Sequence, residues 1–225
     1  MKTKLVAFVL SIATVVLLLT SCGSGASGTV SSGTWTSGQT SIKLLGGSWY
    51  SENGQVHVFY SAEATNKSSK TFDGGRVRIT CLDEEGHGLN FSSEYLVAIA
   101  AGDTIQYSNS FEYTGLAPTS LDLHLMDNPS MYSDDIVSRQ SEFVVSNLHS
   151  SKSDAFYTIS GTISNNSSEK QGVRVSAIFK QDGVIVGGDF SYADPIDAGK
   201  SGTFTIYLPH AFEGCELYEV IANAY

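Results

Sequence analysis

Cysteine is scarce in this chain, three in 225 residues. Cys22 closes an apolar leader, so only Cys81 and Cys215 remain for everything after it. Cys81 ends the run "VRITC" and Cys215 sits in "FEGCELY", different places in the two halves of the chain. A disulfide inside either half is excluded, and with it the disulfide scaffold of a small secreted domain. A single bridge between the halves and a pair of buried thiols both stay open, and thiols are the expectation. Basic residues are also few, 13 Lys and Arg against 23 Asp and Glu, for a net charge of −10. With no basic stripe, the chain would be repelled by a phosphate backbone, and nucleic acid is excluded as a partner. No stretch keeps a 3.6-residue periodicity for three turns, so no helical domain is expected.

Catalytic patterns are missing as well. There is no Gly-x-Ser-x-Gly elbow and no glycine-rich phosphate loop leading into a helix. His57, His87, His124, His149 and His210 are single and scattered, without the paired spacing of a zinc site. The densest polar cluster is "DEEGH" at 83–87, whose carboxylates could hold a hard cation. It lacks the spaced Asp and Asn of a calcium loop, and it reads as a solvated hairpin tip. No catalytic residue, no metal and no cofactor is assigned.

What is present begins with the amino terminus. "MKTK" is a short basic region, "LVAFVLSIATVVLLL" is an apolar run of signal-peptide length, and "LTSC" follows at once. A Leu three residues before a Cys, with small residues between, resembles the bacterial lipobox. The alternative, an uncleaved membrane span, would need a longer run. Residues 1–21 are therefore expected to be a lipoprotein signal peptide and Cys22 the lipid-bearing first residue of the mature chain. Loss of Lys2 and Lys4 with the leader would take the net charge to about −12. The expected address is the cell membrane or outer membrane, facing away from the cytoplasm, with the membrane itself a partner through the lipid. Residues 22–40, rich in Gly, Ser and Thr, are expected to be a flexible tether in which Trp35 is incidental.

Beyond the tether the chain repeats itself. "VHVFYSAEATNKSS" and "FYTISGTISNNSS" each alternate with period two and end in the same Asn-x-Ser-Ser, the pattern of a strand with one buried face entering a turn. "GRVRITCLDEEGHGL" and "GVRVSAIFKQDGVIV" each read as strand, polar turn with Gly, strand. "IAAGDTIQY" then matches "IDAGKSGTF". Four matched segments in one order point to a duplicated domain. The reading is all-β: two tandem immunoglobulin-like β-sandwich domains after a lipoprotein signal peptide and flexible linker, at 41–130 and 141–225, joined by a linker at 131–140. Each domain is expected to close its own two-sheet core.

Each unit resembles the FxLYD family of bacterial envelope lipoproteins. The elements that carry the resemblance are the strand ending in Asn-x-Ser-Ser, the Asp and Gly hairpin of "FKQDGVIV", and the Ile-x-Ala-Gly corner before an aromatic strand. The first unit departs from it at "LDEEGHGL". The resemblance implies a small β-sandwich and an envelope setting, with no catalytic residues to carry over. The expected function is non-enzymatic binding of an envelope protein, a glycan or a peptide. An enzyme or enzyme accessory subunit acting on wall or secreted substrates is the alternative, and a structural spacer a second one. Adjacent strand residues face opposite ways, so Trp49, Tyr50, Phe59 and Tyr60 are expected to place one ring of each pair outward. These four residues are the candidate contact surface.

Overall fold

A computed structural model describes residues 27–30, 34–153 and 156–225, with positions 34–37 described by their backbone alone. The expected signal peptide, residues 1–21, and Cys22 lie outside the described residues. The first unit contains β1 (Ser27–Val30), β2 (Thr34–Ser37), β3 (Thr40–Glu52), β4 (Gln55–Asn66), β5 (Thr71–Phe72), β6 (Arg76–Leu82), β7 (Gly88–Tyr95), β8 (Thr104–Thr114) and β9 (Ser120–Met126). After β10 (Tyr132–Ser133), the second contains β11 (Phe143–Lys152), β12 (Tyr157–Asn165), β13 (Gln171–Gln181), β14 (Val184–Ile196), β15 (Ser201–Leu208) and β16 (Glu216–Ala224). The molecule is all-β, two β-sandwiches in tandem.

The two units share one topology. In the first, β3-β4-β8 form one sheet and β7-β6-β9 the other; in the second, β11-β12-β15 face β14-β13-β16. The first, second and fifth main strands thus make one layer, and the third, fourth and sixth the other. The period-two pattern sets which side is buried. Val56, Val58, Tyr60, Ala62 and Ala64 of β4 fill the first core, and Ile159 and Ile163 of β12 the second.

The repeated Asn-x-Ser-Ser is one device used twice. The Asn66 Oδ1 accepts from the Ser68 backbone N–H and hydroxyl at 3.0 and 2.8 Å. Its Nδ2 donates to the carbonyls of Lys70 (2.7 Å), Ile99 (3.0 Å) and Ala100 (3.2 Å). Asn165 repeats this with Ser167 at 2.9 and 2.7 Å, and with the carbonyls of Glu169 and Ile196, both at 2.8 Å. Both side chains are fully buried. Each therefore ties the end of one strand to the Ile-x-Ala-Gly corner that precedes another. The corner itself needs Gly102 and Gly199, whose φ angles of 69° and 67° lie in the left-handed region.

The sandwiches are not independent beads. The β14 strand lies across the outer face of β3, β4 and β8, and β13 and β16 meet β8. Two glycines allow the backbones to touch: a Cβ on Gly46 would sit 2.1 Å from the Ile185 carbonyl oxygen, and one on Gly187 2.8 Å from that of Phe59. The Ser48 hydroxyl donates to the Val186 carbonyl at 2.6 Å, and Ser108 to that of Ala177 at 2.9 Å. Strand β8 is the edge of its sheet, and its outward carbonyls are used. Gln106 accepts from Asn223 Nδ2 at 2.9 Å and Ser108 from Arg174 Nη2 at 2.7 Å. An edge that would otherwise invite foreign pairing is covered. Phe59 of the first unit is 4% exposed and belongs to the second unit's core, edge-on to Phe212 at 5.0 Å. The expectation of two self-contained cores is thereby corrected.

Part of the expected tether is paired into the first sheet. Residues 27–30 pair with Tyr50–Gly47 as β1, and residues 34–37 pair with Lys43–Thr40 as β2. The physical reason is packing that the Gly and Ser content hides. Val30 is buried against Gly47, and Gly28 leaves room for the Trp49 indole. The side chain of Trp35 lies outside the described residues. Part of the expected linker is likewise fixed: β10 pairs with β5, and Tyr132 packs on Phe72 with ring centroids 5.2 Å apart. Cys81 and Cys215 are both free thiols. Burial pushes the Cys81 thiol up to about 11, whereas Cys215 is only half-buried.

Candidate functional site

The four aromatics singled out in the sequence do sit on opposite faces in pairs. Trp49 pairs with Val58 and Gly47 with Tyr60, on the core side, whereas Tyr50 and Phe59 share the other face. Neither side is a free surface. Tyr60 is fully buried, and its hydroxyl donates to Glu94. Phe59 is covered by the second unit, and Tyr50 stacks on His57 at 4.5 Å beside it. Trp49 is half-buried beneath β1. The expected exposed row is corrected to an interdomain seam, because the outer face of β3-β4-β8 is the face that docks the second unit.

At that seam lies the most unusual group of charges. Glu94 on β7 accepts hydrogen bonds from the Tyr60 hydroxyl and the Asn109 amide inside the open side of the first sandwich. Arg174 of the second unit enters the same opening. Its Nη2 is 3.6 Å from Glu94 Oε2, and its guanidinium lies 4.0 Å over the Phe190 ring and 5.3 Å from that of Tyr107. The two side chains are 4% and 11% exposed. Burial raises the Glu94 carboxyl above its ordinary range, opposed by the Arg174 charge and the hydrogen bonds. Burial also raises Asp189, whose Oδ1 accepts from Ser110 at 3.0 Å across the seam. The arrangement joins the units mechanically, and the oxygens of Glu94 are taken up by protein donors.

The polar hairpin tip brings Asp83, Glu85 and His87 together, with ligand-capable atoms within 4.8 Å. Asp83 is occupied within the turn, accepting the His87 backbone N–H at 2.7 Å and lying 3.3 Å from its ring Nδ1. The backbone hydrogen bond from His87 is the main cause that lowers the Asp83 carboxyl. This is how a charged β-turn is closed.

A surface that the sequence reading missed lies on the outer face of β7-β6-β9. Cross-strand pairing places Phe91, Ser93 and Tyr95 beside Thr80, Arg78 and Arg76, which in turn meet Asp122, His124 and Met126. Phe91 and Tyr95 are 61% and 69% exposed. Each carries a guanidinium: Arg78 is 4.7 Å from the Phe91 centroid and Arg76 5.5 Å from that of Tyr95, with Arg76 also donating to Ser93 at 2.7 Å. Four residues of strand separate the rings by about 13 Å. The signal was present as "RVR" against "FSSEY", two alternations that become one face only when the strands are paired.

No protein-family model matches this chain, and no curated protein matches it. Among solved structures, the N-terminal CBM22-1-CBM22-2 tandem domain from Paenibacillus barcinonensis Xyn10C is similar over 90% of this chain and 84% of that one. The identity is 10% and the TM-score 0.20, a likeness too loose to carry an argument about ligands.

Proposed function

We propose that this chain is a lipid-anchored, outward-facing, non-enzymatic binding protein of a bacterial envelope, and that it holds its partner on the β7-β6-β9 face. The observation that carries the reading is a difference between the repeats. In the second unit the centre of the corresponding face, with Arg174, Ser176, Ile178 and Asn223, is buried, Arg174 and Asn223 bonding to the first unit, while Tyr192 and Tyr225 at its end stay exposed. In the first unit the same face is open and presents two large rings backed by arginines. Exposed aromatics with cations behind them supply stacking area and charge together. In a chain of net −10, two arginines on one face favour a partner bearing negative charge. The lipobox and the likeness to FxLYD domains supply the envelope setting.

Two tests address the two parts of this reading. The wild-type protein should label with a fatty-acid analogue and partition with membranes, and Cys22→Ala should abolish the label; label retained in that variant would overturn the anchor. For the surface, crosslinking in living cells identifies the partner, and Phe91→Ala and Tyr95→Ala are then titrated against it. Each should weaken binding by about 2 kcal/mol, as truncation of an aromatic hot spot does. Normal binding by the folded double variant would remove this face from the site.

A further inference from the structure

The second sandwich has an open flank. Among the described residues, strand β11 is the edge of β11-β12-β15 and β16 the edge of β14-β13-β16, each paired on one side only. Beside them is a cleft of about 500 Å³, lined by Phe143–Val145 on β11, Val220 and Ile221 on β16, Gln140 and Ser141 before β11, and Asp103, Thr104 and Gln106 of the first unit. Two strand edges beside a cleft of mixed apolar and polar lining form a seat for an added strand.

The first unit shows what fills this position. Thr40–Lys43 of β3 pair on one side with Asn66–Glu63, and on the other with Ser37–Thr34 of β2. Strand β2 also lies beside β9, so it covers the flank between the two sheets. In the second unit, Phe143–Ser146 pair with Asn165–Thr162. Asn66 and Asn165 make the same turn, so Phe143–Ser146 are the counterparts of Thr40–Lys43. On their other side there is no strand among the described residues, and the cleft lies there. The segment before β11 cannot serve, because β10 is paired with β5 of the first unit.

From this we infer that the cleft is a second binding site, distinct from the Phe91–Tyr95 face, and that it takes an extended basic segment of a partner protein by strand addition to Phe143–Ser146. The occupant's charge follows from the lining. Asp103 and Glu219 contribute carboxylates; Glu219 is exposed, whereas Asp103 has Arg139 3.8 Å from one oxygen and its Oδ2 buried. A lysine or arginine on the added strand would meet the exposed Glu219 carboxylate, and alternate apolar side chains would meet the valines and Ile221.

The probe is a fluorescent, end-blocked peptide alternating lysine and valine, titrated into the full-length chain in neutral detergent. Hydrogen exchange is followed at Phe143–Ser146 and Val220–Ala222. Binding with slowed exchange at both edges is expected, and Glu219→Gln should weaken it by about threefold. A peptide of the same charge interrupted by proline cannot complete a ladder and should neither bind comparably nor slow exchange. Three results would overturn the inference: equal binding of the proline peptide, unchanged exchange at the two edges, or slowed exchange there without peptide as the chain self-associates. The last would assign the seat to a second copy.

Discussion

Replacing Arg174 with alanine should destabilise the protein by about 3–5 kcal/mol, the cost of stranding one member of a buried ion pair. Glu94 would keep its charge without its counter-ion, and the Ser108 carbonyl on the β8 edge would lose its donor. The loss should depend on pH, with a determinable sign. Burial already raises the folded-state pKa of Glu94, and removal of the guanidinium raises it further. A raised carboxyl favours the folded state below its unfolded value near 4.3, and that contribution disappears as pH climbs through the folded value. The penalty should therefore be largest above the raised folded-state value of Glu94 and shrink as pH falls through it towards the unfolded value near 4.3. Urea midpoints of wild type and variant at pH 7 and pH 4 measure it. Arg174→Met combined with Glu94→Gln should be more stable at pH 7 than Arg174→Met alone, because no charge is then left buried. Equal penalties at both pH values would mean that Glu94 does not feel Arg174.

The second large effect belongs to the repeated turn. Asn165→Ala removes two donated and two accepted hydrogen bonds from a fully buried site. It leaves the Glu169 and Ile196 carbonyls without these bonds from the side chain. At roughly 1 kcal/mol for each of the four net bonds, the loss should be about 4 kcal/mol. Asn165→Asp keeps the acceptor but buries a charge among carbonyls. It should be at least as damaging at pH 7 and milder near pH 4, where the new carboxyl protonates. A midpoint unchanged in Asn165→Ala would mean the turn forms without its side chain.

These two sites mark what could be read in the chain beforehand. The strand alternation and the four repeated segments were visible because local packing writes itself with period two. That Asn165 reaches Ile196 was not visible, although both letters belonged to matched motifs. Repetition reveals that two elements recur together, and only the fold shows that they touch. The seam was hidden for a different reason. Phe59 and Arg174 look outward in their own strands, and nothing local says that the outside of one sandwich is the inside of the pair. The same blindness made residues 27–37 look like a tether. A four-residue strand such as β1, with one buried Val, falls below what periodicity can detect, and it packs on Gly47 and Trp49 of the receiving strand. The Phe91–Tyr95 face was missed because β6 and β7 had to be paired before two ordinary alternations became one surface.

The early start of β1 has a spatial meaning. Ser27 is already paired with Tyr50, so with lipid on Cys22 the leash from bilayer to folded body is five residues long. Five residues extend at most about 18 Å. With the two sandwiches locked at their seam, such a molecule would not sweep its surroundings like a bait on a line. It would stand as a fixed post at the membrane, and whatever it binds would have to come down to it.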